Sequence, residues 1–190
     1  MQAIDGLVFA CEAIRAIAAQ HGIKATMTPK PMSLKTTNGL HMHISTIGLE
    51  DTNDNLAGIL EKLRAITIFG IVNYEGFKRV EEDVAGEIVA WGTVNHDMPV
   101  RKINGSHWEL RLSDATANFY LFLAVFLKAG MAGVYGKKPL IQKDVQKFPK
   151  DIPDTALIEE YKVTERLPGS LKEAIEIARF DTDIATWICQ

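Results

Sequence analysis

The sequence predicts an α+β domain with a mainly antiparallel sheet, and three observations predict it. Apolar residues recur at spacings of three and four near positions 4–18 and again at 56–67. Short segments rich in β-formers cluster at 40–45 and 87–112, and one nearly continuous apolar run covers 119–134. The resulting order is helix, strand, strand, helix, several strands, helix, which suits mixed α and β layers over one core.

Each element has its own signal. Ile4, Leu7, Val8, Cys11, Ile14 and Ile17/Ala18 fall on one face of a helix across the first twenty residues, and Gly22 after His21 provides a stop. Residues 23–28 alternate as a short strand before Pro29-Lys30-Pro31 forbids both helix and central strand. Thr36-Thr37-Asn38-Gly39 reads as a turn into a strand at 40–45. There His41, His43 and Ser45 share one side, and Leu40, Met42 and Ile44 the other. A second amphipathic helix turns Leu56, Ile59, Leu60, Leu63 and Ile66/Thr67 inward.

Residues 73–86 form a polar connection holding Lys78-Arg79 and Glu81-Glu82-Asp83. Strands are expected at 87–93, 99–103 and 107–112. Residues 116–134 form a helix buried on most sides, capped by Ser113 or Asp114. After Tyr135 the composition shifts to lysine, proline and acids, a surface connection. Helical segments follow near 155–161 and after Pro168-Gly169-Ser170, where Ser170 and Glu173 make a capping box.

Composition excludes several classes. With 190 residues, 47% hydrophobic and net charge −3, the chain buries a core and is not disordered; 1–190 is read as one domain. Twenty-one basic residues against 24 acidic ones argue against a broad nucleic-acid footprint. No basic, apolar leader is present, and Lys128 interrupts the most apolar run before the ~18 residues of a membrane span. The expectation is a soluble cytoplasmic protein without membrane or nucleic-acid partners. Cys11 and Cys189 form no disulfide framework and no metal knuckle, and are expected to be buried small apolar residues.

The polar residues leave alternatives open. His41-x-His43 can offer a metal ligand or a phosphate donor, and can equally be two solvated histidines. Glu109-x-Arg111 can bind metal and clamp an anion, or form a cross-strand ion pair. Arg79 and Arg101 are two further cations, each a clamp or a surface residue. No Walker A loop, GxGxxG, HExxH or GxSxG motif occurs, so a phosphate site here must be built from side chains on a sheet.

Taken in order, the motifs resemble the glutamine synthetase family, in the C-terminal portion of its catalytic domain and in its bacterial-type or fungal form. The resemblance runs through His21-Gly22-Ile23-Lys24-Ala25-Thr26, Pro29-Lys30-Pro31, Asn38-Gly39-Leu40-His41-Met42-His43-Ile44-Ser45 and Asn73 with Lys78-Arg79. It continues in Ala90-Trp91-Gly92, Asn95, Val100-Arg101, Glu109-Leu110-Arg111 and Asp114-Ala115-Thr116-Ala117-Asn118-Phe119-Tyr120-Leu121. It closes in Ala129-Gly130-Met131-Ala132-Gly133-Val134 and Pro168-Gly169-Ser170-Leu171.

The resemblance implies a curved, mainly antiparallel sheet flanked by helices. It implies ATP-dependent ligation of ammonia, or another amine, to the glutamate side-chain carboxylate through a γ-glutamyl phosphate. ATP would be co-substrate, Mg2+ or Mn2+ the cofactor, and the full-length protein a cytoplasmic homo-oligomer of glutamine biosynthesis. His41 and Glu109 would bind metal; His43, Ser45 and Arg101 would meet the ATP phosphates. Gly39, Arg79 and Arg111 would bind substrate, with Arg79 and Arg111 also catalytic.

The sequence departs from the family pattern at Thr36-Thr37, where Asn-Gly is usual, at Ala85, where a flap glutamate is usual, and at His96 and His107, often arginine. The family's other metal-binding glutamates and its small N-terminal domain would lie upstream of Met1, and a further helix beyond Gln190. An incomplete piece of the enzyme is therefore expected, with exposed apolar strand edges and a tendency to self-associate. The alternative is a non-catalytic regulatory or scaffold module of the same family.

Overall fold

The computed structural model describes residues 2–31, 38–48, 53–80 and 86–189. Thr36, Thr37, Glu81, Glu82, Asp83 and Ala85 lie outside the described residues, as does the side chain of Arg79. The helices are α1 (Gln2–Gln20), α2 (Asn53–Gly70), α3 (Phe119–Gly136), α4 (Asp154–Glu159), α5 (Leu171–Phe180) and α6 (Thr182–Cys189). The strands are β1 (Met42–Ser45), β2 (Trp91–Thr93), β3 (Val100–Asn104) and β4 (His107–Leu110).

The strand order is β1-β4-β3-β2. β4 pairs antiparallel with both β1 and β3, whereas β2 pairs parallel with β3. The sheet is therefore mixed, with two antiparallel pairings and one parallel. The parallel pairing arises because residues 94–99 fold back over the sheet end. Asn95 holds that link, its amide donating to the carbonyls of Val145 and Lys147 and its Oδ1 accepting from the Asp97 amide. The outer edge of β2 is not bare: Val145 donates to the Trp91 carbonyl, and Asp144 accepts from the Thr93 amide and hydroxyl.

Several expectations are corrected. Residues 23–28 form no strand; the Thr26 hydroxyl instead accepts from the Thr28 amide, a local turn bond that competes with strand pairing. The strand expected over 87–93 starts only at Trp91, because Ile88 bridges Arg166 and Val89 donates to the Glu165 carbonyl. The cap of α3 is neither Ser113 nor Asp114 but Asn118, whose side chain accepts from the Tyr120 and Leu121 amides. The Ser113 hydroxyl donates to the Leu40 carbonyl, and Asp114 accepts from Thr116. Cys11 is half-buried and Cys189 exposed, both as free thiols.

The core sits between the sheet and the α2–α3 pair, with Leu56, Ile59, Leu60 and Leu63 meeting Phe126, Val100 and Leu110. Glycines bring the two helix backbones into contact: a Cβ on Gly58 would strike the Ala129 carbonyl and lie 2.7 Å from the Gly133 Cα. α3 runs unbroken through Lys128, and by length and composition it could cross a membrane. Its packing on α2 is that of a core helix, yet only one side is buried, with Tyr120, Leu121, Leu127, Met131 and Tyr135 exposed. α1 likewise forms as expected but buries only Ile4, leaving Val8, Phe9, Ile14 and Ile17 exposed. At α5, Ser170 accepts from the Glu173 amide, while the Glu173 carboxylate accepts from Gly169.

Candidate functional site

Strand register gathers the polar residues on one sheet face. His43 and Arg101 are the direct partners of Glu109 from β1 and β3, and Ser45 is the direct partner of His107. Because side chains alternate, Met42, Ile44, Trp108 and Leu110 turn to the opposite face, where they join the hydrophobic core. His41 and Arg111 continue the polar row just past the strand ends.

Glu109 is the centre of this row and is 4% exposed. Its Oε2 accepts from Arg101 Nη1 at 2.7 Å. Its Oε1 lies 2.7 Å from His41 Nδ1 and accepts from Arg111 Nη1 at 3.3 Å, with His43 Nε2 at 4.0 Å. Burial pushes the Glu109 pKa up, but the Arg101 hydrogen bond, the Arg111 charge and His41 together hold it below its ordinary value. Burial lowers the Arg111 pKa, helped by Arg101; Glu109 and Asp97 oppose that shift.

Asp97, 8% exposed, is the residue that sequence reasoning missed. It lies in the polar 94–99 link, where no periodicity marks it, and only the fold brings it near Arg111. The guanidiniums of Arg101 and Arg111 and the carboxylates of Glu109 and Asp97 sum to zero formal charge before the imidazoles are counted.

A second group of histidine contacts lies beside the first. His107 Nε2 is 3.1 Å from His43 Nδ1, and His107 Nδ1 is 2.7 Å from the Ser45 hydroxyl. His107 is thus drawn into the site, whereas His96 is exposed. Gly39 is exposed at the entry to β1. The backbone that carries Arg79 is anchored from below, since Asn73 accepts from the Gly76 amide and donates to the Thr116 hydroxyl, each at 2.7 Å. Thr116 in turn donates to the buried Asp114.

A model of the glutamine synthetase catalytic domain matches residues 1–187 of this chain. The chain belongs to that family. The family's relatives include protein fluG of Emericella nidulans, 32% identical over 181 residues, covering 94% of this chain and 21% of the relative. The glutamine synthetase of Thermococcus kodakarensis is 28% identical over 204 residues, covering 97% of this chain and 45% of the relative. The chain therefore spans less than half the length of these relatives. The solved structure of GmaS without ligand superposes with a TM-score of 0.79 at 24% identity, covering 95% of this chain and 44% of that one. That likeness shows a shared fold, here a four-stranded mixed sheet with six helices among the described residues.

The divalent cation expected from the family resemblance does not fit the donors described. His41 and Glu109 adjoin, but both Glu109 oxygens are engaged by guanidiniums. Among the described residues no group of three or more His, Cys, Asp or Glu could hold a metal ion. Mg2+ demands near-octahedral oxygen coordination, which this pair alone cannot supply.

Proposed function

We propose that this chain is part of an ATP-dependent carbon–nitrogen ligase of glutamine synthetase type. It would join ammonia or another amine to the glutamate side-chain carboxylate. The observation that carries the reading is the row His43–Glu109–Arg101, flanked by His41 and Arg111, on one sheet face of a chain matched to the family over 1–187.

In the first step a glutamate carboxylate oxygen attacks the γ-phosphorus of ATP and ADP leaves. In the second the amine nitrogen attacks the acyl carbon, phosphate leaves, and the nitrogen loses a proton. Both steps concentrate negative charge on phosphoryl oxygens, so fixed cations stabilise the transition state. Arg111 and Arg79 would hold the substrate carboxylate and the phosphoryl group in transit, and Gly39 would also bind substrate. Arg101, His43 and Ser45 would face the nucleotide phosphates. His41 and Glu109 would give Mg2+ or Mn2+ at most two donors. The setting would be cytoplasmic, and the exposed apolar residues of α1 suit burial against other parts of a homo-oligomer.

Calorimetry with ATP and Mg2+, paired with an ADP-release assay, tests the reading. ATP should bind the chain, Arg101→Ala should weaken binding about tenfold, and the chain alone should turn over little. A second reading, a non-catalytic module, draws on the Arg101–Glu109 pairing, which leaves the expected metal ligand neutralised. Absence of ATP binding at millimolar nucleotide would favour that module and overturn the ligase reading.

A further inference from the structure

We infer that Arg101 and Arg111 hold Glu109 in the manner of a divalent cation, so that this chain takes the phosphates of a nucleotide on guanidinium groups, without help from Mg2+ or Mn2+. This use of the guanidiniums rests on the reading above that ATP binds this sheet face, and it says how the phosphates are held there.

Both oxygens of Glu109 are engaged by N–H groups. Oε2 lies 2.7 Å from Arg101 Nη1, and Oε1 lies 3.3 Å from Arg111 Nη1 and 2.7 Å from His41 Nδ1. Mg2+ takes oxygen ligands at about 2.1 Å in an octahedral array, inside the space that these nitrogens occupy. The arrangement is packed in place, with the side chains of Glu109, Arg111 and Arg101 5%, 12% and 16% exposed. A divalent ion on Glu109 would also stand against two fixed positive charges. Those charges and the carboxylates of Glu109 and Asp97 already cancel, so no excess of negative charge draws a cation in.

His41 does not join Glu109 as a ligand pair. Burial pushes the Glu109 pKa up, but Arg101, Arg111 and His41 hold it below its ordinary value, so the carboxylate is ionised at neutral pH and only accepts. The His41 Nδ1 that faces it therefore carries a proton and offers a metal no lone pair.

The guanidinium itself replaces the ion. A metal at a phosphate site bridges protein carboxylate and phosphate oxygens. An arginine makes the same bridge when it holds a carboxylate on one edge and a phosphate on another. Arg101 has donors for this: Nη1 serves Glu109, and Nε is buried with no acceptor among the described residues. Register fixes the order His43–Glu109–Arg101 across β1, β4 and β3, which keeps the bridging cation in one row with a second phosphate-facing group.

The test is ATP titration of the full chain by calorimetry, once in excess Mg2+ and once in EDTA. The two dissociation constants should agree within about threefold, and Arg101→Ala should weaken binding at least about tenfold in both media. Mn2+ electron paramagnetic resonance of the unsubstituted chain gives a readout that needs no nucleotide and no variant: the free-ion signal should persist at micromolar Mn2+. ATP binding that needs Mg2+, Arg101→Ala binding as tight as that of the parent, or micromolar Mn2+ binding that Glu109→Gln removes would each overturn the inference. ATP binding that needs Mg2+ would do so while leaving the ligase reading in place. Absence of ATP binding in both media would overturn the two together.

Discussion

Arg101 and Glu109 face each other as register partners on β3 and β4, with the Arg101 Nη1 2.7 Å from the Glu109 Oε2. This contact makes a buried carboxylate tolerable in the middle of a sheet. Breaking such a pair from one side leaves a buried charge uncompensated. Glu109→Gln should therefore cost about 3 kcal/mol in urea unfolding. The double variant Glu109→Gln with Arg101→Met should cost less than the two single changes added together.

Acid should erase that difference. The Glu109 pKa is lowered in the folded chain, against the effect of its burial, by Arg101, Arg111 and His41. Its contribution is thus complete above the unfolded glutamate value of about 4.3 and fades as pH falls through the lower folded value. The stability gap between the unsubstituted chain and Glu109→Gln should stay level from neutral pH to about 5 and narrow below about 4. A gap unchanged at the acid end would contradict this account of Glu109.

Lys62 fastens α6 to α2. Its ammonium lies 3.0 Å from Asp181 and 2.6 Å from Asp183, and Asp181 also accepts from the amides of Asp183 and Ile184. Burial pushes the Lys62 pKa down, but hydrogen bonds to Asp183 and Asp181 raise it overall. That stabilisation is present below the unfolded lysine value of about 10.4 and is lost as pH rises through the higher folded value. Lys62→Met should lower stability by about 1 kcal/mol and speed hydrogen exchange over 182–189.

Gly58→Ala should be destabilising by about 1–3 kcal/mol, because its Cβ would strike the α3 backbone at Ala129 and Gly133. Gly6→Ala is the contrast, with nothing within 4 Å of the added carbon. It should stabilise α1 by up to about 1 kcal/mol through helix propensity. Thermal melts of the two variants should move in opposite directions.

Removing the cap of α3 should be felt at its first turn. Asn118→Ala leaves the Tyr120 and Leu121 amides without their side-chain acceptor and should cost about 1 kcal/mol in chemical denaturation.

Much of the architecture was legible before folding was considered. The three-and-four spacing of Leu56, Ile59, Leu60 and Leu63 gave the face of α2 that is buried. The alternation at 40–45 separated His43 and Ser45 from Met42 and Ile44, as observed. The same reasoning failed for residues 23–28, where alternation alone did not provide a partner strand. For α1 the periodicity located the helix and its apolar face, but whether anything covers that face lay beyond its reach, and only Ile4 is buried.

What the sequence determined by itself is local: the helices, the strand faces and the ordered motifs that carry the family resemblance. These follow from periods of 3.6 and 2.0 residues, which neighbouring residues set among themselves. Only the tertiary structure decided the partners. It paired Glu109 with Arg101 and His41, set His107 between His43 and Ser45, and brought Asp97 near Arg111. Those contacts depend on strand register and on how the 94–99 link folds back. A one-residue slip in register would turn every side chain of a strand to the other face.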